Sequence, residues 1–373
     1  MRVLYVSKAS IVAAYRDKLD ALAAHVSVTA LIPSRWGSME AGPMEDTASG
    51  VRIHTAAALL HGRNHLHAYA GAGAVVRAAS PDIVHLDEEP YSTVTCQFAF
   101  LCRRRRIPFV FFAWQNLHKP LPVPFGLMRR FVYAGAAAGI AGTARAADVL
   151  KRGGWRGPTA VIPQLGVAPE RFRSAPDLRT RMRARLGVAE GAFVVGYAGR
   201  LVAEKGVDLL LEAAAPLERA TVLLIGAGPE RRRLAARAHR LGMAARTHFA
   251  GSADSTEMPA WLNALDALVL PSRRGRGWTE QFGRVLVEAM ACGVPVVGAI
   301  SGEIPAVVGS AGLLFAEEDV AALRGHLERL AGAPELRHAL GAAGRARALS
   351  HYTQERIARD TVDLYEVVLG RAR

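Results

Sequence analysis

A chain of 373 residues, 51% hydrophobic and 21% charged, is globular rather than disordered and exceeds what one hydrophobic core serves, so two domains are expected. The formal net charge is +14, but no aromatic-interleaved basic stripe accompanies it, which argues against a nucleic-acid-binding module. No apolar stretch reaches spanning length, the opening MRVLYVSK is too short for a signal-peptide core, and three cysteines without metal spacing suit a reducing, cytoplasmic compartment.

In chain order, VLYVS (3–7), VSVTALIP (26–33), DIVHLD (82–87) and PFVFFAW (108–114) read as strands, the central ones nearly all apolar, as in a parallel sheet covered on both faces. Residues 14–24, 67–79 and 92–105 between them have helical spacing. AGIAGTARAADVLKRGG predicts a strand, a Thr143 cap and a helix ending at Gly153; the Pro-rich TAVIPQLGVAPERFRSAP after it reads as a linker.

A second alternation begins at Phe193, with strands in FVVGYAGR, TVLLIG, THFAG, ALDALVLPS and VPVVGA. Helices are expected in VDLLLEAAAPL, in PERRRLAARAHRLG and at about 256–265 and 283–292. YTQERIARDTVDLYEVVLG closes the chain as one amphipathic helix. Strands and helices alternating at these lengths predict two doubly wound, Rossmann-like α/β domains, 1–168 with 353–373 and 169–352, with a cleft between them.

Much of the positive charge lies in arginine clusters at 103–106, 179–185, 231–233 and 273–276. Most suit helix C-termini or solvated faces, where cations favour the dipole; the sharper alternative is an anionic partner such as a nucleotide or an acidic membrane surface.

Ligands of such sheets lie at the strand C-termini. In GYAGRLVAEKG, Gly199 permits a turn, Arg200 and Lys205 supply two cations, and Gly206 opens a helix, a cradle suited to a diphosphate without a metal. IGAGPERR and GAGAVV lack the third glycine of a dinucleotide fingerprint, so no nicotinamide cofactor is expected. In TEQFGRVLVEAMACGVPVVGAISGEIP, Glu280 and Glu288 stand eight positions apart around a helix start, where carboxylates suit vicinal hydroxyls and Phe282-Gly283 offers backbone N–H groups. Glu280 alone would be a favourable acid ahead of a helix; Glu288, inside the apolar LVEAMACG, needs a partner.

GRLVAEKG, LIGAGPE, HFAGS, ALDALVLPS and EQFGRVLVEAMACGVPVVG together resemble the retaining nucleotide-sugar glycosyltransferases of glycosyltransferase family four, which have the GT-B fold. The resemblance implies a donor domain in the second half, with Arg200 and Lys205 at the diphosphate, Gly199 and Gly226 among the donor-binding residues, and Phe249–Gly251 against the base. It also implies Glu280 on the donor sugar, Glu288 on the ribose, and Phe282 and Gly283 as backbone contacts. It further implies a final helix that crosses back to the first domain, no metal and no cofactor beyond the nucleotide-sugar substrate.

Relatives often carry a Phe-His pair near the reacting sugar; here FFAWQNLHKP places Trp114 and Gln115 at that point and His118 three residues on, so His118 either takes the role or no histidine does. Lys8, Glu88, Trp114, Gln115 and His118 are the acceptor-side candidates, and Arg200, Lys205, Glu280 and His118 the catalytic ones. The expectation is a cytoplasmic, retaining transferase moving a hexose-type sugar from a UDP-linked donor to a hydroxyl of a small molecule or glycolipid, with peripheral membrane contact open. The alternatives are a sugar-nucleotide epimerase or hydrolase on the same scaffold, a membrane-associated lipid or polysaccharide glycosyltransferase, or a basic lipid- or nucleic-acid-binding protein.

Overall fold

The computed structural model describes residues 1–41, 46–189 and 191–371. The chain divides into two compact units, Met1–Leu165 with Gln354–Arg373, and Gly166–Thr353.

In the first unit seven parallel strands form one sheet: β1 (Arg2–Val6), β2 (Ser27–Pro33), β3 (Arg52–Ala56), β4 (Ile83–Leu86), β5 (Phe109–Ala113), β6 (Ala138–Ala141) and β7 (Thr159–Val161). Their order is β7-β6-β5-β4-β1-β2-β3, so the winding reverses between β1 and β4. The apolar runs of β4, β5 and β6 are buried along their whole length, as sheet faces covered on both sides require.

The second unit carries β8 (Phe193–Ala198), β9 (Ala220–Ile225), β10 (Thr247–Gly251), β11 (Ala267–Leu270), β12 (Val296–Ala299) and β13 (Leu313–Phe315). These pair in parallel in the order β10-β9-β8-β11-β12-β13, and the reversal falls between β8 and β11. Both units are doubly wound α/β sheets, and in each the loops after the two strands at the reversal define the place where ligands of such sheets sit.

The terminal helix, Gln354–Val368, belongs to the first unit. Its Ile357, Ala358 and Tyr365 enter a core cluster with Tyr5, Leu19 and Leu22, and the Tyr365 hydroxyl hydrogen-bonds His85 Nδ1 at 2.6 Å. Thr143 caps its helix as its sequence position predicts, accepting from the Ala146 N–H at 3.1 Å.

Three expectations change. The helix expected over 67–79 begins at Ala72, because Ala68–Tyr69 pairs with Ala58–Leu59 and Gly71 takes a left-handed φ of 69°. The Pro-rich stretch read as a linker contributes β7, an edge strand. The first unit ends at Leu165 rather than 168, since the Val167 N–H bonds the Tyr352 carbonyl at 2.8 Å within the second unit. Among the described residues no helix is long and apolar enough to cross a membrane.

Candidate functional site

The reversal in the second sheet brings together the loops that follow β8 and β11. Lys205, at the end of the first loop, lies with Nζ 2.5 Å from Glu280 Oε2, and the Ser272 hydroxyl donates to the same oxygen at 2.8 Å. The ammonium also sits 4.9 Å from the centre of the Trp278 ring. Lys205 and Glu280 are largely shielded from water, so their charge-assisted bond is stronger than a surface pair.

Two glycines set this approach. At Gly206, φ is +62° and a methyl would drive into the Pro271 carbonyl oxygen, so the loop after β8 packs backbone-close on the loop after β11. At Gly302, φ is +54° and a methyl would strike the Glu280 carbonyl oxygen, which accepts from the Glu303 N–H at 3.1 Å. Three strand-end loops are thus locked around one lysine and one carboxylate.

Glu288 lies one turn into the helix Arg284–Ala291 and is buried; Arg284 Nε donates to its Oε1 at 2.7 Å. Burial raises its pKa above the ordinary carboxylate value, while Arg284 and Arg171 act to lower it. The partner that the sequence requires for a carboxylate in this run is therefore Arg284, four residues back on the same helix face.

Gly199 and Arg200 are exposed at the end of β8, with the Arg200 carbonyl accepting from the Tyr197 hydroxyl at 2.8 Å. The Gly199 N–H bonds the Ile225 carbonyl at 2.9 Å and the Gly226 N–H bonds the Gly251 carbonyl at 2.7 Å, tying three strand ends together. The Phe249 ring lies 5.3 Å from the Arg231 guanidinium, and Phe282 meets Tyr352 edge-on at 5.7 Å beside Gly283, whose φ is 77°.

In the first unit the equivalent position, after β1 and β4, holds Lys8 and Glu88, which form an ion pair. His67 is fully buried with Nε2 3.7 Å from Glu88 Oε1. Burial pushes Glu88 up to about 7 against the pull of Lys8, and burial together with Lys8 pushes His67 down to about 4. Beside them, Glu89 Oε1 accepts from the N–H groups of Trp114 and Gln115 at 2.8 and 2.9 Å, and burial raises it to about 7. Trp114 and Gln115 are thus fixed through their backbone; His118 is exposed and further along the same segment.

Ser272, Trp278 and His67 escaped the sequence reading. Ser272 closes the strand motif ALDALVLPS, so a polar residue at a strand C-terminus was the available signal. His67 gave none, since nothing in its local pattern places it beside Glu88.

With this geometry in view, residues 179–347 match the model of the family described as glycosyl transferases group 1. A GDP-mannose-dependent alpha-(1-6)-phosphatidylinositol monomannoside mannosyltransferase of Mycolicibacterium smegmatis is 37% identical over 206 residues, covering 52% of this chain and 54% of that protein. A D-inositol 3-phosphate glycosyltransferase of Streptomyces bingchenggensis is 36% identical over 254 residues, covering 63% of this chain and 54% of that protein. The chain spans about half the length of the curated relatives it matches. The crystal structure of Anabaena HepE in complex with UDP aligns over 98% of this chain and all of that one, with a TM-score of 0.79 and 22% identity. That likeness shows the fold, the two-unit α/β architecture called GT-B.

Proposed function

We propose that the protein is a glycosyltransferase that moves a hexose-type sugar from a UDP-linked donor to an acceptor hydroxyl with retention at the anomeric carbon. The observation that carries this reading is the Lys205–Glu280 pair, with Ser272, at the reversal of the second sheet. An ammonium has three N–H donors, and Glu280 engages one of them, leaving a positioned cation for diphosphate oxygens. Arg200 adds a second cation from the end of β8.

In the reaction proposed, the bond from the anomeric carbon to the diphosphate oxygen breaks and a bond to the acceptor oxygen forms on the same face. The acceptor's proton passes to the departing phosphate. Fixed cations that meet the growing negative charge without reorganising lower the barrier to this step. Glu280 receives hydroxyls of the donor sugar, and Glu288, held by Arg284, those of the ribose. Gly226, Phe249 and Gly251 line the approach of the base, and Phe282 and Gly283 present backbone N–H groups.

The first unit takes the acceptor, with Lys8, Glu88, Trp114, Gln115 and His118 as its candidates. The names of the relatives, an inositol 3-phosphate and a phosphatidylinositol mannoside enzyme, support cyclitols and their lipids as the first acceptors to screen. The test is nucleotide release from a panel of UDP-, GDP- and TDP-sugars, with the anomeric configuration of the product read by NMR. Unchanged turnover in Lys205→Ala and Glu280→Ala would refute the assignment, and donor consumption independent of acceptor would indicate a hydrolase or epimerase instead.

A further inference from the structure

In the first unit the helices Ala72–Ala79, Thr93–Arg105 and Val123–Tyr133 border a groove of about 720 Å³, with Tyr69, Cys96, Phe100, Met128 and Phe131 among its walls. Large apolar side chains stand open to solvent on these helices: Val123 is 75% exposed, Leu127 60% and Phe100 51%. A solvent-facing cluster of this kind is costly unless something covers it.

The charge on these helices is one-sided. They contain no Asp or Glu, but they carry Arg77, Arg103, Arg104, Arg105, Arg129 and Arg130. The Arg103 guanidinium lies 4.8 Å from the Phe131 ring and that of Arg104 5.7 Å from Phe100, so cations stand directly over two walls of the groove. Among the described residues no carboxylate pairs with Arg103, Arg104, Arg105 or Arg130. An apolar groove with a purely cationic rim is complementary to an amphiphile with an anionic head and a hydrocarbon tail. A second copy of the chain would set arginines against arginines, and a soluble anion leaves Val123 and Leu127 uncovered.

We propose that this face docks on an anionic lipid bilayer. Val123 and Leu127 enter the acyl region, an acyl chain occupies the groove, and Arg103, Arg104, Arg105 and Arg130 meet headgroup phosphates. The inference is independent of the sugar transferred and of the residues at the donor site.

The test is co-sedimentation of the full chain with vesicles of phosphatidylcholine alone, or with about a third of the lipid replaced by phosphatidylglycerol, at low and high salt. Binding to the anionic vesicles only, weakened by salt, is expected. A Val123→Asp/Leu127→Asp variant and, separately, an Arg105→Glu/Arg130→Glu variant should each lower the partition by about tenfold or more, with unaltered thermal unfolding. The substituted side chains are exposed; were the apolar pair to disturb folding, the arginine pair decides alone. Equal binding to neutral vesicles, no binding to anionic ones, or wild-type partition in the arginine variant would overturn the proposal. So would self-association that the Leu127 change abolishes, since a second copy would then be the occupant.

Discussion

Lys205 Nζ and Glu280 Oε2 lie 2.5 Å apart although 75 positions separate the two residues. The contact exists because β8 and β11 are neighbours in the sheet, and Gly206 at the end of the first loop packs on Pro271 at the start of the second. Replacing either partner should therefore unsettle the other. Lys205→Ala is expected to lower kcat by about a hundredfold or more, the usual effect of losing a positioned donor at developing charge. Glu280→Gln keeps the shape and loses the ion pair, so it should show a smaller loss of kcat and a higher donor KM; steady-state kinetics with the preferred donor checks both.

Metal removal should leave the reaction untouched if Arg200 and Lys205 carry the diphosphate charge. Turnover after exhaustive chelation, compared with turnover after adding back magnesium or manganese, measures this. A rate that collapses with chelator and returns with metal would contradict the proposed role of the two cations.

Glycines separate cleanly by surroundings. Gly302→Ala forces a side chain into the Glu280 carbonyl at φ +54° and should destabilise the protein by about 3 kcal/mol, with loss of donor turnover. Gly325→Ala, inside the helix Val320–Gly332 with open space around it, should instead stabilise by up to about 1 kcal/mol. Denaturant titration of the two variants gives the contrast directly.

The buried carboxylates of the first unit carry a pH signature. The Glu89 pKa is raised to about 7 in the fold, so the native state holds the proton more tightly than the unfolded chain. Its stabilising contribution is full below the unfolded value and lost as pH rises through 7. Glu89→Gln keeps an oxygen for the Trp114 and Gln115 N–H groups but cannot ionise. Relative to wild type it should gain on the order of 3 kcal/mol between pH 5 and pH 8. Comparing the two proteins cancels the opposing trend from His67 and His85, whose depressed pKa values cost stability as pH falls below the ordinary histidine range. Thermal unfolding of both across this range is the measurement.

Tyr365→Phe removes the hydroxyl that meets His85 Nδ1 and leaves a buried ring nitrogen without its partner. A loss of about 1–2 kcal/mol is expected, read as earlier unfolding of the first unit.

The strands of both sheets that carry long apolar runs, and the glycine turns after them, were legible because burial on two faces leaves little room for any other pattern. The edges were not. Arg52–Ala56 is largely open to solvent and Thr159–Val161 is three residues long, so neither shows alternation. The helix Pro334–His351 buries only Gly341, Gly344 and Ala348, packing through small residues, and so lacks the apolar stripe that marks a helix in sequence. At the proposed donor site Lys205, Glu280 and Glu288 stood out by type and spacing. Trp278 did not, since its place follows from strand order rather than local sequence, and Ser272 offered only its position at a strand C-terminus. In the first unit His67 acquires its position beside Glu88 next to the pairing of 68–69 with 58–59, which its local sequence does not announce.

The return of Gln354–Val368 to the first unit has a consequence for synthesis. Leu19, Leu22 and Tyr5 wait for Ile357 and Tyr365, so the ribosome must emit the chain beyond residue 365 before the opening sheet can close its interior. Gly166–Thr353 is contiguous and suffers no such delay. A nascent chain stalled before residue 354 leaves the ribosome would present a finished second unit beside an unsealed, chaperone-attracting first unit.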